Sequence, residues 1–158
     1  MSIIYKKGDL FAALSDKKNI IVPHVCNVHG VMGSGFAKTV REKYPETNKD
    51  YINYCKDYNM HNIDFYIPDT LFTIEDFGMF GNMICQTGLS GSGVRNATYP
   101  DLIICMRGVL YEWRDRQEYE IYAPKFGAGL CGMNWDFIEE LIKDIWLDAG
   151  IKVTVFTL

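Results

Sequence analysis

The sequence predicts an α/β fold in which helices cover both faces of a central mixed sheet, a three-layer α/β/α sandwich. Short β-rich runs alternate with helical stretches along the 158 residues, and this alternation is typical of α/β proteins. The run NIIVPHVC at residues 19–26 is mostly apolar, as expected of a strand with both faces covered. Two glycine-rich segments, residues 27–35 and 125–133, each follow a strand and precede a helix. Because such sheets bind ligands where these loops gather, we expect the two segments to form the walls of one crevice.

In the first half of the chain, strands are expected from β-rich runs, and helices from apolar residues repeated every three or four positions. Strands are predicted at residues 2–6, 19–26, 69–76 and 79–87, and helices at 35–43 and 46–58. Pro23 lies inside the second strand. Because proline cannot donate to a sheet ladder, a bulge or a strand end is expected there.

The second half is predicted to contain two helices and two strands. The helices are expected at residues 100–114 and 134–148, and the strands at 118–124 and 151–158. Asn134 is the expected N-terminal cap of the last helix, and Gly150 fits its C-terminal end. Residues 88–96 (GLSGSGVRN) are predicted to be a flexible loop. The whole chain, residues 1–158, has the length of a single domain.

The composition limits the classes of function and of location. The formal net charge of −4 argues against a broad nucleic-acid surface, which needs a basic face. A small anion is not excluded, because backbone N–H groups can hold a phosphate. The five cysteines are odd in number and scattered, so neither a disulfide framework nor a zinc site is expected. Without a signal-peptide pattern or an apolar run of ~18 residues, we expect a cytoplasmic protein that does not enter a membrane.

The segment GVMGSGFAKT, residues 30–39, suggests a nucleotide site but departs from two familiar motifs. In a P-loop the lysine follows the last glycine directly, whereas Phe36 and Ala37 intervene here and turn Lys38 about 200° away on a helix. The dinucleotide fingerprint needs a third glycine where Lys38 stands. His24 and His29 have no evident carboxylate partner, so no metal and no cofactor are expected.

Four motifs in order make the pattern more specific. They are YKKGDLF at residues 5–11, HVCNVHGVMGSGFA at 24–37, APKFGAGLCGMNW at 123–135 and KVTVFTL at 152–158. Together they resemble the macrodomain family, which binds ADP-ribose. Among the branches of that family the chain is most similar to the small ADP-ribose 1″-phosphate phosphatases of the yeast type. The resemblance implies a macrodomain sandwich whose partner is ADP-ribose or ADP-ribose 1″-phosphate, with ADP-ribosylated macromolecules as further partners.

The resemblance also implies roles at the adenine end of the ligand. Asp9 matches the aspartate that accepts a hydrogen bond from the adenine amino group, with the Leu10 backbone beside it. The alternative is that Asp9 only caps a short helix over residues 10–14. Phe156 matches an aromatic residue that stacks on adenine, and the alternative is a core phenylalanine.

Further roles are implied for the pyrophosphate and the distal ribose. Asn27 matches the asparagine that binds the distal ribose, although an asparagine at a strand end also suits a turn. Glycine loops let backbone N–H groups converge on a pyrophosphate at helix N-termini. The residues matching the two loops are Gly33, Ser34, Gly35 and Phe36 in the first, and Gly127, Ala128, Gly129, Leu130 and Cys131 in the second.

His24 resembles the histidine proposed as catalytic in the yeast-type phosphatases. An imidazole can move a proton near neutral pH, which suits attack of water on a phosphomonoester. The alternative is a histidine hydrogen-bonded within the end of the sheet. The nearby His29 could approach the same phosphate, and Ser90, Ser92 and Arg95 are weaker candidates for that contact.

A second enzymatic branch of the family removes ADP-ribose from glutamate side chains with a strand lysine and a loop aspartate. Gln86 and Cys131 occupy those positions here. Glutamine is not a nucleophile and a thiol is not a carboxylate, so this chemistry is disfavoured. Hydrolysis of ADP-ribosylated protein or nucleic acid, a non-catalytic ADP-ribose reader and an unrelated nucleotide-binding protein stay open as alternatives.

Overall fold

The computed structural model describes residues 1–89, 95–129 and 131–158, and the strands in these residues form one six-stranded sheet. The strands are β1 (Ile4–Lys7), β2 (Ile20–Asn27), β3 (Asp69–Glu75), β4 (Gly78–Gln86), β5 (Glu120–Ala123) and β6 (Val153–Thr157). Their order across the sheet is β1-β6-β5-β2-β4-β3. The β3–β4 pair is antiparallel and the other neighbouring pairs are parallel, so the sheet is mixed as predicted.

Helices cover both faces of this sheet and confirm the three-layer prediction. They are α1 (Leu10–Ala13), α2 (Gly35–Lys43), α3 (Pro45–Asp57), α4 (Tyr99–Arg114) and α5 (Trp135–Ile142). Successive residues of β4 alternate between the layers: Met79 and Met83 pack with α4 and α5, whereas Phe80 and Ile84 pack with α1 to α3. Within the described part of the chain no helix is long and apolar enough to cross a membrane.

The last helix differs from its prediction. Asn134 caps α5 as expected, since its side-chain oxygen accepts from Phe137 N at 3.2 Å. The α-helix then ends at Ile142, and residues Lys143–Leu147 form a π-helical turn. In this turn the buried Trp146 donates its Nε1–H to Met106 O of α4 at 2.9 Å. This bond joins distant parts of the chain, so hydrophobic periodicity does not reveal it.

The interruption expected at Pro23 is wrong. The register between β2 and β4 runs unbroken through the pair Pro23 and Gly81, and the irregularity falls later, between Cys26 and Asn27. On its other side, β2 pairs with β5 only at Ile20 and Ile21. Pro23 therefore has one partner strand, and a strand that is unpaired on one side tolerates a missing N–H donor.

Candidate active site

A cleft of about 240 Å³ opens between the carboxyl ends of β2 and β5. The connections from these two strands run in opposite directions, from β2 towards β4 and β3 and from β5 towards β6. Such a divergence is where open α/β sheets bind ligands. The wall consists of residues 24–27, 31–37, 86, 124–127, 129 and 131. The two glycine segments therefore face one cleft, as the sequence predicts.

Asn27 organises the loop at the end of β2. Its Oδ1 accepts from His29 N at 2.9 Å and from the Tyr51 hydroxyl at 3.0 Å, and its Nδ2 donates to Val31 O at 2.7 Å. The single proton of the Tyr51 hydroxyl is shared between Asn27 Oδ1 and the nearer Asn27 backbone oxygen. Asn27 therefore stabilises the turn at the end of β2, as the alternative interpretation expected. A contact with the ribose would use the second N–H of its side-chain amide.

The first glycine loop leads directly into α2. Gly33, Ser34, Gly35 and Phe36 all line the cleft. Gly35 has a φ of +58°, a left-handed conformation that glycine adopts at little cost. The first helical bond of α2 runs from Lys38 N to Ser34 O, so the earlier N–H groups have no partner within the helix and suit an anion. The side chain of Lys38 lies near Glu42 outside the cleft, unlike a P-loop lysine.

The second glycine loop closes on itself through Met133 N, which donates to Gly127 O at 2.9 Å. Gly127, Gly129 and Cys131 line the cleft. Ala128 is not among the lining residues and donates its N–H to Lys125 O at 3.3 Å. Leu130 lies outside the described residues.

Gly127→Ala is expected to destabilise the protein, whereas Gly129→Ala leaves stability unchanged. Gly127 has a φ of +76°, and an added Cβ would lie 3.0 Å from Ile138 Cδ1 and 3.1 Å from Met133 Sδ. A side chain in left-handed backbone costs about 1–2 kcal/mol before those contacts are counted. Among the described residues other than its chain neighbours, no heavy atom lies within 4 Å of an added Cβ at Gly129. Urea unfolding of both variants is the measurement, and equal midpoints for the two would contradict the expectation.

His24 lies inside β2 and is only 2% exposed. Its Nε2 is 2.7 Å from Asn82 Oδ1. Asn82 Nδ2 donates to Leu71 O at 2.8 Å, so Asn82 Oδ1 is the acceptor and His24 Nε2 carries the proton. Burial lowers the pKa of His24 to about 4, partly opposed by the Asn82 bond. At neutral pH the ring is therefore uncharged, and Nδ1 is the nitrogen able to accept a proton.

The sequence and the fold are similar to those of known proteins. The chain is 39% identical over 163 residues to the ADP-ribose 1″-phosphate phosphatase of Lodderomyces elongisporus, covering 97% of this chain and 99% of the relative. The protein of that name in Candida albicans is 30% identical over 144 residues, with 90% of this chain and 92% of the relative covered. A macrodomain protein from Streptomyces coelicolor has a TM-score of 0.79 at 28% identity, over 99% of each chain. The chain belongs to the macrodomain family. No family model matches the sequence.

The residues predicted to bind adenine, Asp9, Leu10 and Phe156, lie where β1 and β6 finish. Gly8 N donates to Thr157 O at 2.7 Å, which brings Asp9 and Phe156 to the same edge of the sheet. Asp9 caps α1, since its Oδ1 accepts from Phe11 N at 3.0 Å. The cap uses one carboxylate oxygen, so adenine recognition stays a prediction for the other oxygen and for the Leu10 backbone.

The Phe156 side chain is buried and packs on Tyr122, with ring centroids 5.1 Å apart. Phe156 is therefore a core residue, as the alternative interpretation expected. Its stacking on adenine stays a prediction, for the part of its ring edge that a ligand reaches. Neither Asp9, Leu10 nor Phe156 lines the cleft that holds His24 and Asn27.

Of the remaining predicted polar residues of this macrodomain, Cys131 lines the cleft and His29 does not. His29 Nε2 lies 3.0 Å from Thr87 O and ties the first loop to the end of β4. Burial raises the pKa of the Cys131 thiol to about 11, although the nearby Arg95 charge lowers it. Cys131 is therefore a neutral thiol at neutral pH and a poor nucleophile. Ser90 and Ser92 lie outside the described residues.

Lys125 and Gln86 are polar lining residues that were not among the predicted site residues. Lys125 places a cation at the cleft, with its Nζ 5.8 Å from the centre of the Trp135 ring. A lysine opening a glycine loop is the signal that would have indicated it. Gln86 also lines the cleft. Its match to the strand lysine of the second enzymatic branch was the available signal, and it was set aside because glutamine is not a nucleophile. Among the described residues, no group of three or more His, Cys, Asp or Glu is placed to hold a metal ion.

Proposed function

We propose that this macrodomain binds ADP-ribose in the cleft and hydrolyses ADP-ribose 1″-phosphate to ADP-ribose and inorganic phosphate. The observation that carries the proposal is the convergence of two glycine loops on one cleft that also contains Asn27 and His24. The activity in the names of the 39% and 30% identical relatives supports the same reaction. The chain acts as one domain over residues 1–158.

In this proposal the two glycine loops bind the pyrophosphate. N–H groups at the start of α2 and around Gly127 and Gly129 donate to its oxygens, and Lys125 adds a positive charge. Asn27 orients the distal ribose with its remaining amide N–H. Adenine then lies towards the ends of β1 and β6, where Asp9 accepts from its amino group and Phe156 contacts its ring.

His24 assists the hydrolysis as a positioned base in this proposal. Water attacks the phosphorus of the 1″-phosphate and its proton moves to His24 Nδ1. The ester oxygen leaves with ADP-ribose and takes up this proton from the imidazolium, which returns His24 to its neutral form. The lowered pKa keeps Nδ1 unprotonated at neutral pH. A phosphate dianion beside the ring favours the charged imidazolium and so raises the pKa of His24 when substrate is bound.

The proposed location is the cytoplasm, because the five cysteines are free and buried and reduced thiols suit a reducing compartment.

Two other functions are separated by experiment. A reader would bind ADP-ribose without releasing phosphate. An ADP-ribosyl hydrolase would release ADP-ribose from a modified glutamate peptide or an ADP-ribosylated DNA end.

We expect the purified protein to release phosphate from ADP-ribose 1″-phosphate, and His24→Gln to lower kcat about 10²–10⁴-fold, the usual contribution of a general base. Glutamine keeps an amide N–H that can donate to Asn82 and removes the basic nitrogen. The measurement is phosphate release at saturating substrate, with His61→Gln as the matched control, because His61 is exposed and does not line the cleft.

Each outcome of that assay bears on one claim. No release by the wild type at high enzyme concentration contradicts the phosphatase function. Release by His24→Gln at the wild-type rate contradicts only the role of His24. Stabilisation of the wild type by ATP and not by ADP-ribose would contradict ADP-ribose binding itself.

A further inference from the structure

A chain of buried hydrogen bonds leads from His24 away from the cleft. Asn82 is fully buried in β4, and its Nδ2 donates to Leu71 O at 2.8 Å and to Thr73 Oγ1 at 3.1 Å. The hydroxyl oxygens of Thr73 and Thr47 are 3.0 Å apart, and both residues are buried. Neither Asn82 nor the two threonines line the cleft. These polar groups therefore lie behind His24 and do not contact a ligand in the cleft.

Each donor in this chain points away from His24. Thr47 Oγ1 is 2.5 Å from Glu75 Oε2, and because a carboxylate only accepts, the single Thr47 hydroxyl proton goes to Glu75. The Thr73 hydroxyl then donates to Thr47, and its oxygen accepts from Asn82. Asn82 in turn presents its Oδ1 to His24 Nε2 at 2.7 Å. Hydrogen bonds aligned in one direction polarise one another, so the carboxylate at the far end makes Asn82 Oδ1 a stronger acceptor.

The chain determines which nitrogen of His24 keeps its proton. Because Nε2 donates to Asn82 Oδ1, Nδ1 is the basic nitrogen. Cys26 Sγ lies 3.7 Å from Nδ1 and 3.6 Å from Nε2, and an atom nearly equidistant from both nitrogens is not aligned with the lone pair of either. The rings of Phe36 and Phe80 pack against the imidazole, with centroids 5.4 Å and 5.8 Å away. Both the tautomer and the plane of the ring are therefore fixed before a ligand binds.

We propose that Asn82 and Thr73 are positioning residues for the hydrolysis. The chain that ends on Glu75 holds His24 in the Nε2–H tautomer, so that Nδ1 can accept the proton of the attacking water. The inference rests on the proposed function, because it takes the reaction and the base from there. Asn82, Thr73 and Glu75 act through the imidazole: they do not touch the substrate, and they transfer no proton in the reaction.

Asn82→Leu tests this proposal, because leucine has a similar branched shape and no acceptor. We expect kcat for phosphate release to fall about 10–100-fold, the range typical of groups that orient histidines in metal sites. The Kd for ADP-ribose stays unchanged, because Asn82 does not line the cleft. Thr73→Val removes one of the two acceptors that hold Asn82, and it should lower kcat only a few-fold. Thr70→Val is the matched control, since Thr70 is also a buried threonine of β3 but donates to Cys105 O of α4 at 2.8 Å.

Nitrogen NMR of the His24 imidazole gives a readout that does not depend on activity. In the wild type at neutral pH we expect a protonated Nε2, an unprotonated Nδ1 and an Nε2–H proton that is protected from exchange. In Asn82→Leu we expect a mixture of both tautomers and loss of the protected proton signal. Thr73→Val keeps the tautomer but moves the Nε2–H signal upfield, because a weaker acceptor deshields the proton less. Thr70→Val leaves the signal in place.

The proposal is overturned if Asn82→Leu retains the wild-type kcat or the wild-type tautomer. A Kd for ADP-ribose that rises by the factor by which kcat falls would also overturn it, because Asn82 would then act on the shape of the cleft. If Asn82→Leu does not fold, equal kcat values and equal Nε2–H signals in Thr73→Val and Thr70→Val overturn the proposal. A wild type that releases no phosphate contradicts the proposed function instead, and the tautomer comparison still decides whether the chain holds the imidazole.

Discussion

Replacing Asn27 with alanine is expected to abolish ADP-ribose binding and to lower the free energy of unfolding by about 2–4 kcal/mol. The side chain makes four hydrogen bonds: Oδ1 accepts from His29 N at 2.9 Å, from the Tyr51 hydroxyl at 3.0 Å and from Val31 N at 3.3 Å, and Nδ2 donates to Val31 O at 2.7 Å. Each buried group left without its partner costs about 1–3 kcal/mol. Residues 31–37 line the cleft. When the start of this loop is no longer held, the N–H groups proposed to bind the pyrophosphate also lose their fixed positions.

Tyr51→Phe separates the structural function of Asn27 from its proposed contact with the ligand. Tyr51 is fully buried and does not line the cleft. Burial raises the pKa of its hydroxyl well above the ordinary value, so the hydroxyl stays protonated and donates to Asn27. Removing it is expected to cost about 1 kcal/mol of stability and to weaken ADP-ribose binding only a few-fold.

The measurements are urea unfolding and titration with ADP-ribose for both variants beside the wild type. Asn27→Ala unfolds at a lower urea concentration than Tyr51→Phe, and it alone fails to bind. Wild-type affinity in Asn27→Ala would contradict both functions of the side chain. Equal loss of binding in the two variants would show that Asn27 acts through the loop and does not itself contact the ribose.

The layers of the fold could be predicted because the pattern of apolar residues within each strand or helix indicates which of its faces are buried. The apolar run in β4 needs two covered faces, and Met79 and Phe80 indeed pack into opposite layers. Strand order could not be obtained in this way. Ile21 pairs with Ile121, and no local pattern specifies which distant strand lies beside β2. The π-helical turn before Gly150 was missed for the same reason, since Trp146 bonds to α4.

The site was predictable where glycine carries the signal and less so where a side chain needs a distant partner. Gly35 and Gly127 have positive φ values, which explains why glycines mark both loops. By contrast, the protonation of His24 depends on Asn82, which is 58 residues away in sequence. A single asparagine within the apolar run MFGNMIC was the available signal, since a buried amide needs a polar partner.

Lowering the pH is expected to destabilise the protein through His24. Burial lowers the pKa of this residue in the folded state from 6.5 to about 4. Between these values the unfolded chain binds a proton that the folded chain does not, so the free energy of unfolding rises with pH. Above pH 6.5 His24 therefore does not reduce the free energy of unfolding. As the pH falls from 6.5 to about 4, its titration lowers the free energy of unfolding progressively. At ~1.4 kcal/mol per pH unit, the loss is roughly 3 kcal/mol.

The measurement is the free energy of unfolding from urea titrations between pH 4 and pH 7.5, compared with His24→Gln. Carboxyl groups also titrate in this range, so the informative quantity is the difference between the two proteins at each pH. We expect the pH dependence of the wild type to exceed that of His24→Gln by roughly 3 kcal/mol over the range. Identical curves for wild type and His24→Gln would show that the imidazole is not held neutral in the folded state. In that case His24 Nδ1 binds a proton as the pH falls below neutral. If His24 acts as the base, the rate of phosphate release must then fall over the same pH range.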